Sequence, residues 1–536
     1  MLPGQKRLRG VCYLTGKKIN DETQGDVCRL AAAASCPPQP ALARATLGAQ
    51  NAAMTSQRIR PPLFPLFGLL VLCAAVSAAA AAGPSAPFRA GVATSNITPA
   101  IGGAIIGGFH PFPSTHIHDD LHARCLVLDN GQTRLAFVVC DLLGLSRYLC
   151  DEARRLVQEE TGIPAGNVMI SGTHTHSAIS ALGERFSTKP VLDDYQKFVA
   201  RRISDAVRCA VNNLAPARID WAAGSEPRHV FNRRWFMKPG TVPMTPFGGT
   251  NDLVKMNPPR ASKDLVKPAG PTDPEICFIA VQSLEGRPIG LLANYSLHYV
   301  GGVRGADISA DYYGMFCDRM QQLLGADRQA PPFVAMMSNG TSGNINNIDF
   351  TKPGEKMAPY EKMRLAANDV AAATFQAYQT LQWRDTVPLG AAFQDMEIGF
   401  RHPTPEQLER AKGVLAKIKP GKKPDTLEEI YADRTVHMND YPPRAPIPLQ
   451  AFRIGDAGIG TIPTEVFVEI GLEMKKRSPF KPTFVVSLAH GYFGYLPTPE
   501  QHKLGGYETW LGTNRLEVDA STKIVAALLE MMDKLR

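Results

Sequence analysis

From Ala90 onward, short apolar runs alternate with stretches whose apolar residues recur at helical spacing. Leu135–Leu142 (LAFVVCDL) reads as a strand, Asp151–Glu160 (DEARRLVQEE) as an amphipathic helix, Asn167–Ser171 as a strand and Asp194–Leu214 as a long amphipathic helix. Ile276–Val281 and Gly290–Ser296 read as strands on either side of a turn at Gly286-Arg287-Pro288. A helix over Ala310–Leu324, a strand over Phe333–Met337, an alanine-rich helix over Tyr360–Leu381 and a last helix over Leu516–Leu535 complete the pattern. Such alternation predicts α/β layers around a central mixed sheet. Pro239–Pro274 and Lys417–Asp425 are rich in proline, glycine and lysine and are expected to be surface loops. No internal repeat or low-complexity array is visible after Gly83.

The first eighty residues follow another pattern. Met54 opens a segment with Arg58 and Arg60, then the apolar run Leu63–Val76, then an alanine-rich end, which is the layout of a secretory signal over residues 54–82. The run is short for a membrane span, which needs about 20 residues. Residues 1–53 read as an upstream extension or disordered tail, leaving 83–536 as one catalytic domain. Composition then changes the picture in one respect. The formal charge is +8, but nine basic residues against three acids put +6 of it in residues 1–60. The folded part therefore lacks the basic stripe that nucleic-acid binding requires. Six cysteines follow residue 83, none in a CxxC pair, so a cysteine zinc site is not indicated; those inside apolar runs are expected to be buried thiols.

The candidate chemistry lies with the histidines. His110, His229, His402, His437 and His502 sit in polar or proline-rich surroundings and are expected at the surface. The cluster His116, His118, Asp119, Asp120, His122 nearly spells a two-metal signature, but its last histidine is one residue too far along, and it reads as a polar loop entering a strand. SGTHTHSAIS (171–180) is stronger. His174 and His176 are two apart, so in an extended segment both rings face one side, and the flanking hydroxyls can hold the ring nitrogens that do not bind metal. His298 ends the apolar run LLANYSLHYVGG, where glycines open a cleft, and Glu465 lies in GIGTIPTEVFVEI, between a strand and a helix start. Tyr495 and Tyr507 lie in the glycine- and proline-rich HGYFGYLPTPEQHKLGGYETW. Two histidines, a glutamate and one further oxygen donor would suit a catalytic zinc site.

In order along the chain, AGVATSNITPAIGG (90–103), THTHS (173–177), FNRR (231–234), NYSLHYVGG (294–302), ISADYYG (308–314), NGTSGNINN (339–347), IPTEVF (462–467) and GYLPTPEQHKLGGYE (494–508) resemble the neutral, non-lysosomal ceramidase family. The resemblance implies a layered α/β hydrolase domain and a zinc ion held by His174, His298, Glu465 and Tyr495. It implies that His176 faces the substrate carbonyl, that Arg233 lies near the same centre, and that Tyr507 donates a hydrogen bond to the oxyanion or leaving group. The substrate class would be a lipid-like N-acyl compound, met with peripheral contact at a membrane surface, by a secreted or periplasmic enzyme. Two departures stand out. Asn346 occupies the place of a family serine and cannot accept an acyl group, although it can donate and accept hydrogen bonds. The family's ceramide-cleaving members also carry a C-terminal immunoglobulin-like domain, which is not expected here. Direct attack by water fits Asn346 better than an acyl-enzyme. A zinc esterase or deacylase for acylated saccharides or other amphiphiles is the alternative enzyme, and an inactive lipid- or glycan-binding homologue the alternative of another class.

Overall fold

The computed structural model describes residues 87–183 and 191–536; the expected extension and signal segment lie outside them. Eight strands form the largest sheet: β1 Arg89–Asn96, β2 His122–Asp129, β3 Arg134–Cys140, β4 Val168–Gly172, β5 Ala215–Ser225, β6 Glu275–Ser283, β7 Pro288–Tyr295 and β8 Val334–Asn339, in the order β8-β7-β6-β5-β1-β2-β3-β4. All neighbours are antiparallel except β7–β8 and β3–β4 at the two ends. The sheet is therefore mixed, as expected. Its two halves repeat one topology: an antiparallel hairpin, a helix, then a strand parallel to the second hairpin strand. The helices are α1 Arg147–Thr161 between β3 and β4, and α3 Asp311–Leu323 between β7 and β8; α2 Asp194–Asn212 and α4 Glu361–Tyr378 pack beside them. Crossover helices of this kind are what parallel neighbours require.

A second, four-stranded sheet, β9 Leu389–Gly399, β10 Arg444–Ile454, β11 Ala457–Ile462 and β12 Thr483–Ser487, was not anticipated from the hydrophobic pattern. A helical hairpin, α5 Pro405–Leu415 and α6 Leu427–Asn439, is inserted between β9 and β10, while α7 Val468–Arg477 and α8 Ala520–Leu535 pack on the sheet. The segment Pro239–Pro274, expected as loop, contains two short strands, Val254–Met256 and Leu265–Pro268, paired to Arg234–Met237.

The alternation of side chains along each strand assigns one set to each face. In β2 and β3, Leu126, Leu128, Phe137 and Val139 enter a central core, whereas Cys125, Val127, Ala136 and Val138 face a cluster shared with α1 and α2. In β6 and β7, Ile279 and Leu292 enter the central core, whereas Phe278 and Leu291 face α3 and α4. Phe452, Ile459 and Phe484 of the second sheet enter the same central core, and Leu449 and Val485 face α7 and α8. Three β-layers thus share one core, and each carries helices on its outer side. Burial on both faces explains why LAFVVC is an unbroken apolar run.

The junction between the halves of the large sheet is only two residue pairs long, Arg89 with Pro216 and Ala90 with Ala215. It allows the sheet to turn back on itself. The carboxyl ends of β8 and β4 meet, with Asn339 Nδ2 donating to Thr173 O at 3.0 Å. Across a flat sheet, six strand spacings would separate β4 from β7 by roughly 29 Å. The six cysteines of the described residues are free, five of them buried. None of the described helices is long and apolar enough to cross a membrane.

Phe137 and Phe452 join two of the layers, with ring centroids 4.9 Å apart and both side chains fully buried. Phe452→Ala is expected to lower stability by about 3–5 kcal/mol, read as a lower midpoint in urea unfolding.

Candidate metal centre

Beyond the end of β4 the chain keeps its bonds to the extension of β3: Thr173 N–H donates to Cys140 O and His174 N–H to Leu142 O, both at 2.9 Å. His174 then takes a left-handed conformation, φ 73°, which is uncommon for a residue with a side chain. The turn replaces the expected extended alternation, and the rings of His174 and His176 meet edge to face, centroids 4.7 Å apart. Their convergence comes from this kink. His298 follows β7, and the turned sheet brings its ring centroid within 4.7 Å of that of His174. Donor atoms of His174, His176 and His298 all lie within 4.8 Å of one another.

Glu465 follows β11 and arrives from the second sheet. It sits in a two-residue parallel pairing opposite Tyr495, so the two side chains leave on the same face. α7 begins only at Val468, and its first N–H is capped by Asn344 Oδ1 at 2.9 Å. Glu465 therefore is not a helix-starting acid. Its Oε1 accepts the Tyr492 hydroxyl at 2.7 Å. Its Oε2 lies 3.3 Å from His174 Nε2 and 3.6 Å from His298 Nε2. Burial alone would raise the pKa of this carboxyl, but the groups facing it, His174 foremost, more than offset it and hold it below the usual range. His298 is pushed the other way by burial and by Arg233, well below the usual imidazole value, and so is neutral at pH 7.

These atoms fit a zinc ion. His298 Nε2 and Glu465 Oε2 are buried with no hydrogen-bond partner. The separations match a tetrahedral site, whose donors at ~2.0–2.2 Å from zinc are about 3.3 Å apart. The outer nitrogens are engaged as metal-binding histidines require: His174 Nδ1 by Leu143 O at 2.7 Å and His298 Nδ1 by Ser342 O at 3.0 Å. Tyr495 is buried beside Glu465, and burial raises its phenol well above the usual value. His174 and His298 belong to both donor sets that the geometry offers, with Glu465 or with His176 as third member. Glu465 is the better third donor, because its charge is fully buried and one oxygen lacks a partner. His176 is less buried, its Nε2 is 3.2 Å from His174 Nε2, and its ring stacks on Tyr299 at 3.7 Å. Burial, then His174, lowers its pKa well below normal.

Arg233 is buried beside this group. Its Nε donates to Glu508 Oε1 at 3.0 Å, its guanidinium carbon lies 5.4 Å from the Tyr495 ring centroid, and its Nη2 is buried without a partner. Arg234 takes the other oxygen of Glu508 at 2.7 Å. Tyr507 meets Tyr495 edge to face at 5.8 Å. Asn346 is set apart: its Nδ2 donates to Asn257 Oδ1 at 2.9 Å, and it shares no hydrogen bond with the histidines. The segment around it is stitched to Glu465, with Gly343 N–H donating to Val466 O at 2.7 Å; a Cβ on Gly343 would lie 2.6 Å from Glu465 O.

Sequence reasoning missed Glu508, Tyr492, Tyr299 and Asn344. Glu508 follows Tyr507 directly, and two adjacent arginines with no local acid were the signal that a distant one was needed. His229 corrects an expectation: it is buried, with Nε2 2.8 Å from Asp369 Oδ2. The cluster at 116–122 is dispersed. His118 stacks on Tyr360, Asp119 accepts the Ala310 N–H, and His122 is a strand residue opposite Asn96.

No family model matches the chain. Two solved structures share its fold. One, described as ceramidase complexed with C2, has a TM-score of 0.62 and 18% identity, covering 84% of this chain and 75% of that one. The other, neutral ceramidase from Pseudomonas aeruginosa, has a TM-score of 0.60 and 18% identity, covering 84% of this chain and 74% of that one. The chain therefore has a ceramidase-like fold.

Glu465→Gln and His174→Ala are each expected to lower the metal bound per purified chain, while Asn346→Ser retains it. Full metal content in both ligand variants would exclude this cluster as the metal centre.

Proposed function

We propose that the chain is a secreted zinc-dependent hydrolase that cleaves the amide bond of a lipid-like N-acyl compound, as a neutral ceramidase cleaves N-acylsphingosine. The observation that carries this reading is the meeting of His174, His298 and Glu465, two donor atoms of which lack partners, directly beside a buried arginine with a free N–H. His174, His298, Glu465 and Tyr495 would hold the ion. Zinc bound there would supply Lewis acidity, polarising the carbonyl and lowering the pKa of water from about 16 towards 7.

The remaining steps belong to the chain's own groups. Arg233 shares the Glu508 carboxylate with Arg234 through its Nε, and this leaves Nη2 to donate to the developing oxyanion. The neutral imidazole of His176 can accept a proton at pH 7 and return it to the departing nitrogen. Stacking on Tyr299 fixes the plane of that ring. Tyr507, whose ring packs on that of Tyr495, would donate its hydroxyl to the oxyanion or the leaving group. No side chain in this scheme need take up an acyl group, so Asn346 is compatible with direct attack by water.

Purified protein with its native metal should hydrolyse N-acylsphingosine faster than acylated saccharides; the reverse preference would assign it to the esterase or deacylase class. Arg233→Ala and Tyr507→Phe are each expected to lower kcat by about 10²–10³ with zinc content unchanged. Full activity in metal-free protein would overturn the reading.

A further inference from the structure

A small cavity, about 70 Å³, is lined by Arg434, His437, Met438, Tyr441, Gly512 and Arg515. Its two arginines differ from most others in the molecule: neither forms an ion pair with a carboxylate among the described residues. Arg434 makes one long hydrogen bond, 3.4 Å to Thr513 Oγ1, and lies over the rings of Phe109 and Tyr431 at 5.3 and 4.9 Å. Arg515 makes one, 3.4 Å to Tyr492 O, and lies over the Tyr492 ring at 5.3 Å. A guanidinium offers five N–H donors in a planar fork. Stacking on aromatic faces satisfies the faces of these two groups and leaves most of the donors in the fork unused. Asp433, an acid on the same helix, has an oxygen 3.4 Å from His437 Nδ1.

Two half-buried cations stacked on aromatic rings, with no carboxylate paired to either among the described residues, make a receptor for a planar or tetrahedral oxyanion. We propose that this cavity is an oxyanion site for a phosphate, sulfate or carboxylate group, seated beside the metal centre. Its position couples it to that centre along two routes. The ring beneath Arg515 belongs to Tyr492, whose hydroxyl holds Glu465. The ring beneath Arg434 belongs to Phe109, which packs edge to face on Tyr507 at 6.1 Å. Phe109 lies in the glycine-rich segment that also exposes Ile101 and Phe112, with 57%, 40% and 44% of Ile101, Phe109 and Phe112 open to solvent. The anion can therefore arrive free in solution or as the headgroup of a lipid presented at a surface.

The test uses the full metal-loaded chain and measures binding, so it does not depend on the reaction proposed above. Inorganic phosphate is titrated by calorimetry, and co-sedimentation is measured with phosphatidylcholine vesicles with and without phosphatidic acid. Saturable phosphate binding that weakens at least about tenfold in Arg434→Gln and in Arg515→Gln supports a free oxyanion. Sedimentation that requires phosphatidic acid and is lost in the same variants supports a headgroup. Each variant is first matched to the parent chain in thermal midpoint and zinc content. Absence of both forms of binding, or binding unchanged in both variants, overturns the proposal.

Discussion

An ionised carboxylate that is almost completely dry is the constraint on which the site depends. Glu465 can keep its charge at that depth only if compensating groups are fixed in place, because an isolated buried charge would neutralise itself by taking up a proton. One oxygen is held by Tyr492 and the other faces two imidazole nitrogens. In the absence of a cation those nitrogens and that oxygen are imperfect partners for one another. The arrangement would resolve if a divalent ion stood among them.

Holding three such donors still is the work of the strand ends. His174 is fixed by its kinked backbone and by a carbonyl of the segment after β3, and His298 by a carbonyl of the loop after β8. That same loop bonds to Val466 and caps α7, so the positions of His298 and Glu465 are tied through one short piece of chain. Arg233 joins it as well, its N–H donating to Asn344 O at 2.9 Å. A segment with no side chain in the His174–His298–Glu465 cluster therefore helps set the spacing of the residues that form it.

Much of the large sheet was legible because its strands are covered on both faces or punctuated by clear turns. LAFVVCDL became β3, and the hairpin around Gly286 became β6 and β7 with ends shifted by one or two residues. The second sheet was not legible: Leu389–Gly399 mixes half-buried alanine with exposed glutamine and aspartate, and its neighbour in the sheet follows two inserted helices. The site was legible as an ordered set of motifs, since His174, His298, Glu465 and Tyr495 each stand at a strand end or a glycine-rich turn. Their support was not, because Glu508 serves Arg233 across 275 residues and Asp369 buries His229 across 140. Partnerships of that range are set by how the layers dock, and no local pattern announces them.

The shared central core has a consequence for how the protein acquires its chemistry. His174 stands on one half of the turned sheet, His298 on the other, and Glu465 on the second sheet. The proposed set of His174, His298 and Glu465 therefore draws on all three layers. If these three hold an ion, a chain in which any one layer is undocked presents at most two of them, and the full coordination would come only from the finished architecture. Binding there would stabilise that state over every partly assembled one, and the metal would act as a keystone that distinguishes a completed molecule from one still missing a wall.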